Sequence, residues 1–385
     1  MRHVYLDHQS STQLLPEAFG AMKPFFAEAF GNPSSLHQYG LRARDAIEEA
    51  RAQVARFINA ESSADIIFTS DGTESANLAI KGTAWANQRR GNHIVLSQIE
   101  HPSVLNSVAF LEKHGFTSTR VEVEGEGRVD PAKVRAALTE KTILIAVHHV
   151  NHDIGTVEPI REIAAVAQNA GIPLYVDADA SAGWLPIDVR TLGADLLSFS
   201  PQRFYGPKGV GVLYRHRRAR LEPLLHGGDQ EGGRRAGIEN VPGIVGAGVA
   251  AEIAQREFSR RAAHCAGLQK RLWEGLRATI LRIRLNGPEL GPDRSPVNLN
   301  VSVEGVEGEG QLLLCDTRGI AVASGTGCLS KLLKPSHVLD AIGLDRELAK
   351  AAIIFSLGKD NNDEDIDYVL ETFPNIIEKL RAMSP

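Results

Sequence analysis

The sequence predicts an α/β fold built on a mostly parallel sheet. Two observations carry this. Short apolar runs alternate with helical stretches as far as about residue 255, and the runs are apolar throughout. Continuous apolar character marks strands buried on both faces, and the helical stretches between them complete β-α repeats.

The elements follow in order. Leu36–Ala60 reads as a helix, because Leu41, Ile47, Ala50, Val54 and Phe57 recur at mostly three- and four-residue spacings with charges between them. Ile66–Thr69, Ile94–Ser97, Thr142–Val147, Pro173–Asp177, Leu196–Ser200 and Gly209–Tyr214 read as strands. Beyond residue 255 the pattern loosens into a second, smaller α+β region. Glu252–Thr279 reads as one long arginine-rich amphipathic helix. A strand (Val297–Val303), a helix start (Gly310–Asp316) and a strand-loop stretch (Ile320–Cys328) come next. A final helix starts near Asp363, with acids in its first turn, and Pro374 is expected to kink it.

Composition narrows the function. The 385 residues carry a net charge of −5, which favours neither nucleic acid nor an anionic membrane. The basic run Arg215, Arg217, Arg218 and Arg220 is local and reads as a solvated surface, with a docking patch as the alternative. Three cysteines, Cys265, Cys315 and Cys328, fit no zinc spacing or disulfide framework, so a reducing cytoplasm is expected. Cys265 and Cys315 lie in apolar helical patterns and read as core residues. The first residues do not read as a signal peptide, and no run of about 18 apolar residues suggests a membrane span.

Ligands in open α/β sheets bind at the carboxyl ends of the strands. Here those ends carry Thr69 to Ser75, Glu100-His101, Asn151-His152, Asp177 to Ser181 and Ser200 to Arg203. Phe68-Thr69-Ser70-Asp71-Gly72-Thr73-Glu74-Ser75 reads as strand, turn and helix start, whose free N–H groups suit a phosphate. Further motifs are Val176-Asp177-Ala178-Asp179-Ala180-Ser181 and Ser198-Phe199-Ser200-Pro201-Gln202-Arg203-Phe204-Tyr205-Gly206-Pro207-Lys208-Gly209. Another is Ala323-Ser324-Gly325-Thr326-Gly327-Cys328-Leu329-Ser330. Gly31–His37 and Gly227–Gly237 complete the set. Each is a weak signal alone, while their order and spacing together are specific. The neighbouring His148 and His149 point to opposite faces of a strand, which argues against a shared metal.

In that order the motifs resemble the NifS/IscS-type cysteine desulfurases, a branch of the class V aminotransferases, from about Tyr5 to about Ile377. The resemblance implies a fold-type-I aminotransferase-like homodimer. Its large domain, residues 14–255, would hold a mostly parallel seven-stranded sheet, and 1–13 with 256–385 would form the small α+β domain. It also implies pyridoxal phosphate as cofactor, removal of sulfur from L-cysteine, and a sulfur-acceptor or scaffold protein as partner. Asp177 matches the carboxylate that pairs with the pyridine nitrogen, and His101 the histidine stacked on the ring. Thr73 and Ser200 match phosphate contacts beside Gly72. Cys328 matches the sulfur-accepting cysteine.

Other positions depart from the family. Arg203 stands where it has the imine-forming lysine, and arginine is a poor imine former. Gln202 replaces a histidine, Ala180 a ring-contacting glutamine and His152 a ring-contacting asparagine. Ile238 replaces the threonine supplied across the dimer to the phosphate, and Ile354 the arginine that clamps the substrate carboxylate. The family's Asn-Ala-Ala-Thr-Thr stretch is His8-Gln9-Ser10-Ser11-Thr12. Asp71 replaces a small residue where the phosphate would approach, and Arg203 is expected to pair with Asp71 or Asp177. The expected function is a desulfurase-like protein without covalently bound cofactor, a pseudoenzyme acting in sulfur transfer or iron–sulfur assembly as partner or persulfide carrier. Two alternatives stand beside it. One is rewired chemistry using Arg203, His152, His101 and Cys328; the other is residual desulfuration with non-covalent pyridoxal phosphate.

Overall fold

A computed structural model describes residues 2–324 and 335–383. Twelve strands are present among these residues: β1 (Val4–Tyr5), β2 (Ile66–Thr69), β3 (His93–Ser97), β4 (Thr117–Val121), β5 (Thr142–His148), β6 (Leu174–Asp177), β7 (Leu196–Phe199), β8 (Gly211–Arg215), β9 (Ile283–Leu285), β10 (Asn298–Val303), β11 (Ile320–Ala321) and β12 (Ala352–Ser356). Seven of them form the main sheet, in the order β2-β8-β7-β6-β5-β3-β4. Only β8 is reversed, running antiparallel to both of its neighbours. The main sheet is thus the mostly parallel seven-stranded sheet of an α/β fold, as expected.

Alternate residues of these strands enter two different cores, as a pleated strand demands. Ile94, Leu96, Leu144 and Ala146 join one apolar cluster with Leu78, Ile80, Val104 and Leu111. Val95, Ile145 and Val147 join the other, with Ile47, Val54, Ile163 and Ile244. Both faces are therefore covered by helices, which explains the uninterrupted apolar runs in sequence. The main-sheet strand missing from the sequence reading is β4, Thr-Ser-Thr-Arg-Val, at the sheet edge and largely open to water. An edge strand has no second neighbour and needs no apolar run.

The early helix spans Gln38–Phe57, capped by His37, whose Nδ1 accepts the Gly40 N–H at 3.2 Å. The long helix starts at Val241, eleven residues before the expected Glu252, and is 39 residues long. Asn240 caps it through the Gly243 N–H. Its first turns are glycine- and alanine-rich and lie against the early helix: a Cβ on Gly248 would stand 2.7 Å from Ala50 Cα and 2.3 Å from Gln53 Oε1. Helices this close exclude any larger residue. The glycines that allow the contact also weaken the helical pattern in sequence.

The C-terminal strands β9, β10 and β12 form an antiparallel sheet in the order β12-β10-β9. The first strand, β1, pairs in parallel with β11. β1, β9 and β12 were also absent from the sequence reading; β1 and β9 have only two and three residues, whereas β12 has five. The final helix, Asp363–Met383, runs through Pro374 without interruption. Arg2 holds its first turn through Asp365 at 2.7 Å and Glu364 at 2.8 Å. No helix among the described residues is long and apolar enough to cross a membrane.

Candidate functional site

The carboxyl ends of β2, β3, β5, β6 and β7 open into one crevice. After β2 a helical run begins at Gly72, with Asp71 as its N-cap. Asp71 Oδ1 accepts the Glu74 N–H at 2.7 Å, and Glu74 Oε2 reaches back to the Ser70 N–H at 2.7 Å. This reciprocal cap stabilises the turn by roughly 1 kcal/mol. The Gly72 N–H donates to Ser200 Oγ, 2.8 Å away and buried. Thr73 is exposed, and its carbonyl accepts from Asn77.

Arg203 lies in a short turn after β7, Pro201–Phe204, where the Trp184 indole N–H donates to its carbonyl. Its Nε donates to Asp179 Oδ2 at 2.9 Å, and both side chains are about four-fifths buried, at 19 % and 21 % exposure. The expected pairing with Asp71 or Asp177 is therefore corrected. Asp71 is committed to its helix cap, and Asp177 accepts the backbone N–H of Asp179 at 3.0 Å. Asp179 was the site residue that the sequence reading missed. Its only signal was the alternation Asp177-Ala178-Asp179 at a strand end. Its second oxygen, Oδ1, is buried without a hydrogen-bond partner. Burial, and next the charge of Asp179, push the Asp177 carboxyl up to about 7.

Gln202 belongs to the same turn, and its carbonyl accepts both the Thr12 N–H at 3.2 Å and the Thr12 hydroxyl at 2.6 Å. The N-terminal segment is thereby tied to the crevice. Ile354 is buried in β12 opposite Asn300, so this position offers no charge. Ile238 is 65 % exposed.

Three imidazoles line another wall. His101 caps the helix Pro102–Glu112, its Nδ1 accepting the Ser103 N–H at 3.2 Å. Its ring meets His152 edge-on at 5.1 Å, and His152 stacks on His337 at 6.0 Å. Burial holds His101 down to about 4, with Asp179 opposing, and holds His152 well below the usual range. Behind them a closed cluster forms. His148 Nδ1 bonds Glu100 at 2.6 Å, its Nε2 lies 3.1 Å from Glu158, and all three side chains are buried. Against the pull of burial, the two carboxylates raise His148 to about 10. His149 bonds Ser181 instead, at 3.0 Å. The two adjacent histidines thus serve different partners. Among the described residues no three His, Cys, Asp or Glu side chains are placed to hold a metal ion.

Cys328, the expected sulfur carrier, lies outside the described residues. Cys265 and Cys315 are free and buried, and burial pushes both thiols up to about 12. Such thiols stay protonated and act as core residues.

Comparison with known proteins gives a consistent result. Residues 4–369 match the family model described as "Aminotransferase class-V". The chain is 47% identical to "Cysteine desulfurase IscS" of Dictyoglomus turgidum over 384 residues, 100% of this chain and 97% of that protein. It is 44% identical to the protein of the same name from Clostridium botulinum, covering 100% and 96%. Among solved structures, a "NIFS-LIKE PROTEIN" superposes with a TM-score of 0.92 at 34% identity, covering 98% of this chain and 100% of that one. An apo cysteine desulfurase from Thermococcus onnurineus gives 0.87 at 26% identity, covering 98% and 95%.

Proposed function

The chain belongs to the class-V aminotransferases, among the NifS/IscS cysteine desulfurases, and we propose that it is a member that has lost pyridoxal-phosphate-dependent desulfuration. The observation that carries this reading is Arg203. A guanidinium stands at the family's lysine position, stays protonated, and is bonded to Asp179 at 2.9 Å. Asp177 and His101 keep the family's ring-contacting residue types, but other crevice residues fit a covalently held pyridoxal phosphate poorly. At the start of the helix that follows β2 the Gly72 N–H and Glu74 N–H are taken by Ser200 and Asp71. The carboxylates of Asp71 and Asp179 stand where a dianion would approach, and Ile354 leaves a substrate carboxylate without a cation.

On this reading the protein acts in sulfur transfer or iron–sulfur assembly as a partner or persulfide carrier in a reducing cytoplasm. The Cys328 thiolate accepts the outer sulfur of a persulfide donor and releases the donor's thiolate. The working unit is a homodimer. Phe26, Phe30, Leu36 and Tyr39 are more than half exposed, and Phe30 packs against Tyr39 with ring centroids 5.6 Å apart. A patch of this kind fits burial between two copies.

The purified protein tests the reading. It should show no visible cofactor band, and it should release no alanine from L-cysteine above a no-enzyme control. With a persulfide donor, its mass should rise by one sulfur atom that a reductant removes, and Cys328→Ser should abolish the rise. A cofactor band together with alanine release, both lost in Asp177→Ala, would overturn it.

A further inference from the structure

Resting on the reading that this crevice holds no pyridoxal phosphate, the geometry around Gly72 says what fills its place. Helical backbone runs unbroken from Gly72 to Asn87, through a wider turn at Leu78–Gly82. Its amino end therefore carries the positive pole of a multi-turn helix. Three elements close over that end. Ser200 Oγ accepts the Gly72 N–H at 2.8 Å. A Cβ placed on Gly72 would stand 2.7 Å from Ser200 Oγ and 3.0 Å from Asp179 Oδ1. The Asp179 carboxylate is thus packed directly against the first residue of the helix. Its other oxygen, Oδ2, accepts from Arg203 Nε at 2.9 Å. The second carboxylate nearby, Asp71, is exposed and spends Oδ1 on the Glu74 N–H.

We propose that Asp179 is the built-in anion of this crevice: it occupies the place a ligand's phosphate would take, with Arg203 as its counter-ion, and so makes the crevice refuse phosphate monoesters. Three observations support this beyond the ion pair itself. The pair is about four-fifths buried, where charges are weakly screened and a second anion is strongly repelled. Asp179 Oδ1 is buried with no hydrogen-bond donor, so the side-chain donor that the carboxylate has is Arg203 Nε, on its other oxygen. Glycine at residue 72 leaves just the room that the carboxylate uses. Asp179 is therefore a specificity-determining residue, acting by exclusion. Replacing Arg203 by lysine alone would leave the anion in place.

The test compares wild type, Asp179→Asn, Asp179→Ala and the double variant Asp179→Asn/Arg203→Met. Each is titrated with inorganic phosphate and with pyridoxal phosphate. Binding is read by equilibrium dialysis, and by the rise in melting temperature against chloride at matched ionic strength. The near-isosteric Asp179→Asn keeps the test decisive if Asp179→Ala misfolds. Expected is no binding by wild type, phosphate binding at least about tenfold tighter in both single variants, and loss of that gain in the double variant. Folded single variants that bind phosphate no better than wild type overturn the inference and leave the proposed function standing. Uptake of pyridoxal phosphate by wild type, with its visible band, overturns both.

Discussion

Two charged clusters lie at the same end of the main sheet, and they differ in how far they are closed to water. In the Glu100–His148–Glu158 cluster one cation lies between two carboxylates, both imidazole nitrogens are engaged, and the exposure of all three side chains is near zero. Each cluster keeps a buried carboxylate oxygen without a hydrogen-bond partner, Glu100 Oε2 in the first and Asp179 Oδ1 in the second, but in the Asp179–Arg203 pair about a fifth of each side chain meets solvent. A closed cluster of this kind holds three chain segments together: the loop after β3, the end of β5 and the stretch carrying Glu158. The open pair holds little together and governs what can enter. Stability thus resides in the first cluster and selectivity in the second.

Breaking the closed cluster should have the largest effect. Glu100→Ala removes one of the two carboxylates from a buried imidazolium and should cost about 3–5 kcal/mol, read as a fall in the urea midpoint. A variant within 1 kcal/mol of wild type, an order-of-magnitude bound for an exposed pair, would erase the contrast.

The pH dependence should separate the histidines next. His149 is held down to about 4 by burial and by the neighbouring His148 charge, and His101 to about 4 mainly by burial. Between pH 6.5 and 4 the unfolded chain binds protons at these sites and the folded chain does not, so stability falls as pH falls. Asp177, held up to about 7, opposes this by binding its proton in the folded state. His148, held up to about 10, acts in the other window: its contribution is complete below about 6.5 and is lost as pH rises towards 10. His149→Gln should flatten the acid limb of melting temperature against pH, by on the order of 1.4 kcal/mol per pH unit. It should leave the alkaline limb in place. An unchanged acid limb would remove His149 from this account.

Smaller effects belong to the open pair and its surroundings. Arg203→Met should destabilise by about 1 kcal/mol, the scale of a partly exposed ion pair. Asp71→Ala should cost about 1 kcal/mol through loss of the helix cap. Thermal melts of both variants check this. A loss several times larger in Arg203→Met would place it with the closed cluster.

Much of the frame was legible because its physics is local. Strands with an uninterrupted apolar run, such as Ile143–Val147 in β5 and Ile66–Phe68 in β2, announce burial on both faces, and β2 falls on the expected residues. The edge strand β4 escaped because its environment, rather than its composition, makes it a strand. The site shows the same divide. Each crevice residue could be assigned to a strand end from its position in the chain. Which carboxylate Arg203 chooses could not, because Asp71, Asp177 and Asp179 all lie at strand ends in sequence. The choice depends on prior commitments: Asp71 to a helix cap, Asp177 to a backbone N–H. The buried His148 cluster was hidden for a similar reason, since Glu100 reaches it from 48 residues away and Glu158 from beyond an intervening turn.

The long helix Val241–Thr279 has a mechanical consequence. At 1.5 Å per residue it is about 58 Å long. Near its start Gly248 sits almost against the backbone of the early helix, and near its other end Leu370 of the final helix presses on Gly275. A rod gripped at both ends transmits torque and does not fold at its middle. The crevice side and the C-terminal sheet are consequently geared to one another.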